Sequence, residues 1–211
     1  MIWRIAVCLI LGYAFGCIST GYIVGKTQKV DIRKYGSGNV GTTNALRTLG
    51  KKAALITLLG DILKCVIFVV LMKFVFFKEL PERDLLGLYT ALGAVLGHTF
   101  PFYLKFKGGK GTASFVGLTL ALNWKLALVV LGILILATII TDYIVIGTFS
   151  AIVTVPAYMG LFDRNLHLMA IVCIASFAIF WKHRENIGRM IRREEIGLRS
   201  TMRGDKRYDK Q

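Results

Sequence analysis

WKLALVVLGILILATIITDYIVIGTFSAIVTVPAYMGLF (residues 124–162) carries two charged residues, Lys125 and Asp142. A bilayer core of about 30 Å is crossed by roughly 20 apolar helical residues. The segments 124–141 and 143–162 are each long enough, and Thr141–Asp142 supplies a tight polar turn between them. The stretch therefore reads as two membrane-crossing helices back to back, and it sets the fold class: an all-α membrane protein.

Working outward, residues 166–182 supply a further span. Upstream lie apolar runs at 2–25, 53–77 and 85–104, the second interrupted by Asp61 and Lys64. Residues 111–123 are apolar but short, so length alone gives six spans or seven. Arg4 followed by an apolar run resembles a signal peptide, but the oily sequence that follows favours a first span.

Lys and Arg gather on cytoplasmic loops. The segment after the first span holds Lys26, Lys29, Arg33, Lys34, Arg47, Lys51 and Lys52 against Asp31; the next such loop holds Lys105, Lys107 and Lys110 with no acid; the tail is rich in arginine. The connections at 78–84 and 163–165 are mixed in sign. An outside N-terminus and a cytoplasmic C-terminus then require an odd count. The short helix is expected to cross, giving seven. Trp3, Trp124 and Trp181 fall near span ends, as interfacial anchors do. Residues 1–198 read as one transmembrane unit and 199–211 as a basic, polar, solvated tail.

Composition agrees. The chain is 55% hydrophobic with a net charge of +15, yet only 18% of it is charged, so the charge is confined to short segments. A nucleic-acid binder has no use for long uncharged Leu, Ile and Val runs. Cys8, Cys17, Cys65 and Cys173 all lie in apolar runs without a C-x-x-C pair and read as buried small hydrophobes. Neither a metal nor a cofactor is expected.

Three polar segments share the predicted inner face. The first is GSGNVGTTNALR (residues 36–47). Gly36 and Gly38 let backbone N–H groups turn inward into an anion-binding nest. Ser37, Asn39, Thr43 and Asn44 add donors, Arg47 adds a fork suited to phosphate, and the helical look of the segment's end aims a helix N-terminus at the same spot. A flexible polar linker is the plainer reading. The second is GHTFPFYLKFKGGKGTA (residues 97–113), whose Gly108, Gly109, Lys110 and Gly111 form a glycine-rich turn carrying a lysine. It is not a Walker A loop, since the upstream glycine is missing. Snorkelling lysines on an ordinary cytoplasmic loop are the competing reading. His98 at its head reads more readily as a structural hydrogen-bonding residue than as a base.

The third is HRENIGRMIRREE (residues 183–195), where His183 and Asn186 share a helical face ahead of Arg189, Arg192 and Arg193. It could equally be a basic helix resting on lipid headgroups. A fourth piece, GDILK (residues 60–64), sets Asp61 and Lys64 on one face inside a span. Such a pair is either a structural ion pair or faces a polar cavity. Together the segments suit a site for phosphate-bearing substrates at the membrane surface, with an acyl chain lying in the bilayer.

In this order, GSGNVGTTNALR, GDILK, GHTFPFYLKFKGGKG and HRENIGR resemble the bacterial acyl-phosphate-dependent glycerol-3-phosphate acyltransferases, over roughly residues 1 to 195. The resemblance implies seven transmembrane helices in the bacterial inner membrane and a cytoplasmic active site. It implies acyl phosphate as donor and glycerol 3-phosphate as acceptor, in phospholipid biosynthesis, with lysophosphatidic acid and phosphate as products. An upstream acyl-phosphate-producing enzyme and membrane lipids are the expected partners, and nucleic acid is not. Ser37, Arg47, Lys110, His183 and Asn186 fall on catalytic positions. Gly36, Gly38, Asn39, Thr43, Asn44, Gly108, Gly109, Gly111, His98, Asp61 and Lys64 fall on substrate-binding ones. The sequence departs from the family pattern at Cys65 and Arg193, both usually glycine. No His-x-x-x-x-Asp pair is present: Tyr103, Val172 and Gly188 stand five residues after the three histidines. The base is then a substrate phosphate or His183. A membrane transporter of an organic phosphate is the alternative function.

Overall fold

A computed structural model describes residues 1–203. Among these the chain is helical, with no strand: α1 (Ile2–Gly16), α2 (Thr20–Thr27), α3 (Thr42–Leu49), α4 (Lys51–Leu71), α5 (Arg83–Thr99), α6 (Thr112–Leu122), α7 (Trp124–Thr141), α8 (Ile144–Tyr158), α9 (Leu166–Lys182), α10 (Arg184–Ile191) and α11 (Leu198–Arg203).

Five stretches of the described residues are long and apolar enough to cross a membrane: Ile2–Thr27, Lys51–Phe76, Arg83–Leu104, Trp124–Thr141 and Ile144–Asp163. The pair α9–α10, bent by 49°, passes the same test only when taken together as one broken span. Helix α6 has 11 residues and falls short on its own. Trp3, Trp124 and Trp181 are exposed at helix ends. The outward faces are apolar, with Leu128, Leu136, Ile140, Val153 and Phe177 all exposed, as lipid-facing residues would be. Cys173 also faces outward, against the expectation that all four cysteines are buried; Cys8, Cys17 and Cys65 are buried.

Local sequence explains the boundaries. Asn123 caps α7, its side-chain oxygen accepting from the N–H groups of Lys125 and Leu126. Asp142, at φ +66°, turns the chain sharply into α8. Asn165 caps α9 in the same way.

The expected continuous span over 2–25 is interrupted at residues 17–19. Helices α1 and α5 cross in backbone contact: a Cβ at Gly12 or Gly16 would collide with the Thr90 or Ala94 backbone, and one at Gly93 or Gly97 with the α1 backbone. Small residues four apart on both helices allow this approach. Just past the crossing, the Cys17 carbonyl accepts from the Tyr103 hydroxyl at 2.8 Å, and the Ile18 carbonyl from Lys64 Nζ at 2.7 Å. Side chains distant in sequence thus satisfy the carbonyls that the break frees. Helix α5 is the most enclosed of the long helices. Around it the core gathers Val95, Phe115, Leu118, Val130, Ile171 and Ile179.

The stretch expected to be solvated tail is not wholly so. Helix α11 packs against α3, and Thr201 is buried. Residues 204–211 of that predicted tail lie outside the described residues.

Candidate active site

Hydrogen bonds gather the three polar segments at one end of the bundle. In the first, Gly36 and Gly38 have φ of +56° and +65°, the left-handed region that favours glycine. The turn is organised from inside by Asn44, which is 2% exposed. Its amide nitrogen lies 3.0 Å from the Ile32 carbonyl, 3.1 Å from that of Tyr35 and 2.8 Å from that of Asn39. Its oxygen accepts from the Ser37 N–H at 3.0 Å. Expected as a substrate donor, Asn44 instead spends its polar atoms within the loop. Asn39 is committed too: its nitrogen donates to the Gly108 carbonyl at 3.1 Å and its oxygen accepts from the Gly41 N–H at 2.8 Å. It links the first loop to the second. Ser37 is exposed on this turn, and Thr43 is half-buried in the first turn of α3.

The second loop is laced to the end of α5. The Gly108 N–H donates to the Thr99 carbonyl and that of Gly109 to the His98 carbonyl. A side chain at Gly109 would strike the His98 ring, and one at Gly108 the Pro101 ring. Gly111, at φ +92°, turns the chain into α6. This packing directs Lys110 toward α10.

Below the loop lies the buried polar cluster. Lys64 Nζ is 2.9 Å from Asp61 Oδ1 and 3.0 Å from His98 Nδ1, and Asp61 also accepts from the Thr20 hydroxyl at 3.1 Å. Lys64 has no acceptor capacity, so His98 Nδ1 takes its hydrogen and the ring proton sits on Nε2. Asp61, Lys64 and His98 are buried and partnered by protein. The resemblance set them on substrate-binding positions, while the residues themselves allowed a structural role; their contacts here brace the α1–α2 break and the floor under Gly109.

In the third segment, His183 sits at the bend between α9 and α10, 3% exposed. Its Nδ1 is 2.9 Å from the Ile179 carbonyl. A carbonyl only accepts, so Nδ1 carries the hydrogen and Nε2 is left as a base nitrogen. Burial, reinforced by the Lys110 charge, lowers the His183 pKa to about 4, so the ring is neutral at pH 7.

A chain of bonds joins the second and third segments. Lys110 Nζ donates to Asn186 Oδ1 at 2.6 Å; Asn186 Nδ2 donates to Glu195 Oε1 at 2.6 Å; Arg189 Nε donates to Glu195 Oε2 at 2.7 Å. Burial, then the charge of Arg189, lowers the Lys110 pKa to about 8; Arg47 pushes the same way and Glu195 opposes. Arg47, on α3, donates from Nε and Nη2 to the Thr201 hydroxyl at 3.3 and 2.9 Å. Lys110, Arg47 and Arg189 therefore share one electrostatic environment beside a neutral imidazole. Cations held close against their own repulsion suit a polyanionic ligand. No group of three or more His, Cys, Asp or Glu side chains among the described residues is arranged to hold a metal.

Sequence reasoning missed Glu195 and Thr201 as members of this end of the bundle. Glu195 was visible as a carboxylate four residues past the Arg189–Met190–Ile191 turn. Nothing in the local sequence marks Thr201.

The family model for glycerol-3-phosphate acyltransferase matches residues 6–193. A glycerol-3-phosphate acyltransferase of Desulforamulus reducens is 38% identical over 206 residues, covering 95% of this chain and 100% of the relative. One of Clostridioides difficile is 37% identical, covering 90% and 93%. Among solved structures, PlsY (YgiH), an integral membrane glycerol 3-phosphate acyltransferase, superposes in its glycerol 3-phosphate form with a TM-score of 0.83 at 28% identity, over 92% of this chain and 94% of that one. Its lysophosphatidic acid form superposes with a TM-score of 0.79, over 94% and 98%. The matched region takes in the first two polar segments, the third as far as residue 193 and nearly every span, and by it the chain belongs to the glycerol-3-phosphate acyltransferase family.

Proposed function

We propose that this protein transfers a fatty acyl group from acyl phosphate to the 1-hydroxyl of glycerol 3-phosphate, giving lysophosphatidic acid and inorganic phosphate. The observation that carries it is the half-buried Lys110 ammonium, pressed by Arg47 and Arg189 and oriented by Asn186. Such a cluster is built for phosphate oxygens. The forms in which PlsY was solved, with glycerol 3-phosphate and with lysophosphatidic acid, fit acceptor and product.

In the transfer, the glycerol 1-hydroxyl oxygen attacks the acyl carbon. The bond from that carbon to the phosphate oxygen breaks, and phosphate leaves with the electron pair. Arg47 and Lys110 hold the phosphates and offset charge on the leaving group; Ser37 and the glycine-turn N–H groups add donors. The hydroxyl proton passes to a substrate phosphate or to His183 Nε2. Acyl phosphate already carries a good leaving group, so positioning and charge account for most of the task. Asn186 aims Lys110, and Asn44, Asn39, Asp61, Lys64 and His98 keep the loops in shape.

The same reading has seven crossings in the bacterial inner membrane, the N-terminus outside and the site in the cytoplasm. Lys110 bonds α10 and Arg47 bonds α11, which is itself tied to Asp142 at the end of α7. Helix α7 has 18 residues, about 27 Å at 1.5 Å per residue, so its start at Trp124 lies at the opposite end. Helix α6 links Lys110 to Trp124, which supports a crossing by α6, short as it is. The break in α1 is filled by Lys64 and Tyr103 and lends no support to the transporter alternative.

The test is purified, reconstituted protein with glycerol 3-phosphate and either acyl phosphate or acyl-CoA, scored for lysophosphatidic acid. Turnover is expected with acyl phosphate and not with acyl-CoA at the same concentration. Efficient turnover with acyl-CoA alone would reassign the donor.

A further inference from the structure

The family match ends at residue 193, yet the chain beyond it returns to the site. The Leu198 N–H donates to the Asp142 carbonyl at 2.6 Å, the Arg199 N–H to Asp142 Oδ1 at 2.9 Å, and Arg199 Nη2 to the Ile139 carbonyl at 3.2 Å. A side chain at Gly197 would collide with the Asp142 carboxylate, so the strap lies flat on the α7–α8 turn. Two residues past Arg199, the Thr201 hydroxyl meets Arg47. It donates its own hydrogen to the Gly197 carbonyl at 2.9 Å. Its lone pairs are therefore left for Arg47 Nε and Nη2, which approach at 3.3 and 2.9 Å. Thr201 is 7% exposed, so water competes little for these bonds.

We propose that Thr201, carried on this C-terminal strap, is a positioning residue for acyl transfer, its hydroxyl fixing the guanidinium of Arg47 in the orientation that receives phosphate. The proposal rests on the reading that Arg47 binds a phosphate of the substrates. An arginine side chain gives up rotamer freedom when it is fixed, and a scaffold that holds it in advance spares the substrate that cost.

The experiment uses the full chain in proteoliposomes, with kcat and KM for both substrates and the thermal unfolding midpoint as readouts. Thr201→Val keeps the shape and removes the acceptor. It is expected to lower kcat/KM about tenfold with an unchanged midpoint, while Thr201→Ser recovers most of the loss. In an Arg47→Ala background, Thr201→Val is expected to add nothing. Asp142→Ala loosens the strap from its other end and is expected to reproduce the loss, which keeps the test alive if the valine variant fails to fold. Wild-type or raised activity in Thr201→Val, or losses that multiply with Arg47→Ala, would overturn the positioning role. Full activity in Arg47→Ala would instead remove the phosphate reading on which it rests.

Discussion

Lys110 Nζ meets the side-chain oxygen of Asn186 at 2.6 Å, joining residues 76 positions apart. The contact brings a glycine turn and a helix bend into one site, and it holds a cation that its surroundings disfavour. The Lys110 pKa, lowered to about 8, lies within reach of ordinary assays. The folded value is below the unfolded one of 10.5, so the folded state binds fewer protons between the two. Stability contributed by this group therefore rises with pH through that window, as the penalty of the buried ammonium is relieved. Activity moves the opposite way. With the free enzyme, kcat/KM should fall above pH 8 as the ammonium is lost, while kcat falls at higher pH because bound phosphate raises the pKa. Lys110→Arg should abolish the inflection near pH 8, and Lys110→Ala should lower kcat/KM at least about 10²-fold. An alkaline limb unchanged in Lys110→Arg would assign it to another group.

Asn44 carries a different kind of weight. Its amide meets three carbonyls and one N–H in a position shut off from water. Asn44→Ala leaves those groups without partners, at about 1–3 kcal/mol for each that stays buried. The variant should lose several kcal/mol of stability, read as a large drop in unfolding midpoint. Lys110→Ala should leave the midpoint level or raised. An Asn44→Ala protein as stable as wild type but inactive would restore the direct substrate role that its sequence position suggested.

The contrast between those residues measures how far the sequence could be read. Spans announce themselves because lipid demands uninterrupted apolar length, and residues 124–162 were legible on that ground alone. The three donor-rich segments were legible as polar stretches between apolar spans, but a flexible linker, snorkelling lysines and a headgroup-bound helix competed with the site reading until their side-chain contacts were seen. Asn44 was visible as a member of its loop but not as its clamp, since Ser37, Asn39 and Asn44 look alike until side-chain directions are known. The break at residues 17–19 was hidden inside an apolar run because its cause is tertiary: Lys64 and Tyr103 satisfy carbonyls that local sequence leaves helical. Thr201 was hidden because a basic tail has the same composition whether it is solvated or docked.

Arg193 tests a departure from the family pattern. It has φ +60°, a left-handed conformation that a side chain makes costly, at a position where the family resemblance led us to expect glycine. The backbone there has the conformation a glycine would adopt without strain. Arg193→Gly should therefore stabilise the protein, by about 0.5–1 kcal/mol after allowing for the freer unfolded chain. The readout is the unfolding midpoint in detergent. A fall in the midpoint would mean that the arginine side chain contributes more than its backbone costs.

Topology is open to labelling. In a background with Cys8, Cys17, Cys65 and Cys173 replaced, single cysteines at the exposed positions Lys34, Lys107 and Arg184 should react only from the cytoplasmic side. A cysteine at exposed Lys78 should react only from outside. Reaction of Lys107→Cys from outside would break both the seven-span path and the shared site, since α6 would then fail to cross.

Ser37, between two left-handed glycines, invites reading as a nucleophile. A serine of that kind needs an activating base within hydrogen-bond reach. Among the described residues, Ser37 makes its recorded bond through its backbone N–H, to Asn44, and its hydroxyl bonds to neither histidine. His98 is buried with Nδ1 3.0 Å from Lys64 Nζ and 3.5 Å from Asp61 Oδ1, and His183 spends Nδ1 on the Ile179 carbonyl, so His98 is tied into the buried ion pair rather than to the serine and His183 has no carboxylate orienter. An acyl phosphate needs no such relay, because phosphate is already a good leaving group and the cations offset its charge. Direct attack by the glycerol hydroxyl follows, with Ser37 as a phosphate donor. Enzyme mixed with acyl phosphate and no glycerol 3-phosphate should therefore accumulate no acyl group on Ser37, as read by intact-protein mass spectrometry after rapid quench. Ser37→Ala should lose activity through weaker phosphate binding, with a larger effect on KM than a missing nucleophile would give. A kinetically competent adduct at Ser37, discharged when acceptor is added, would replace direct transfer with an acyl-enzyme.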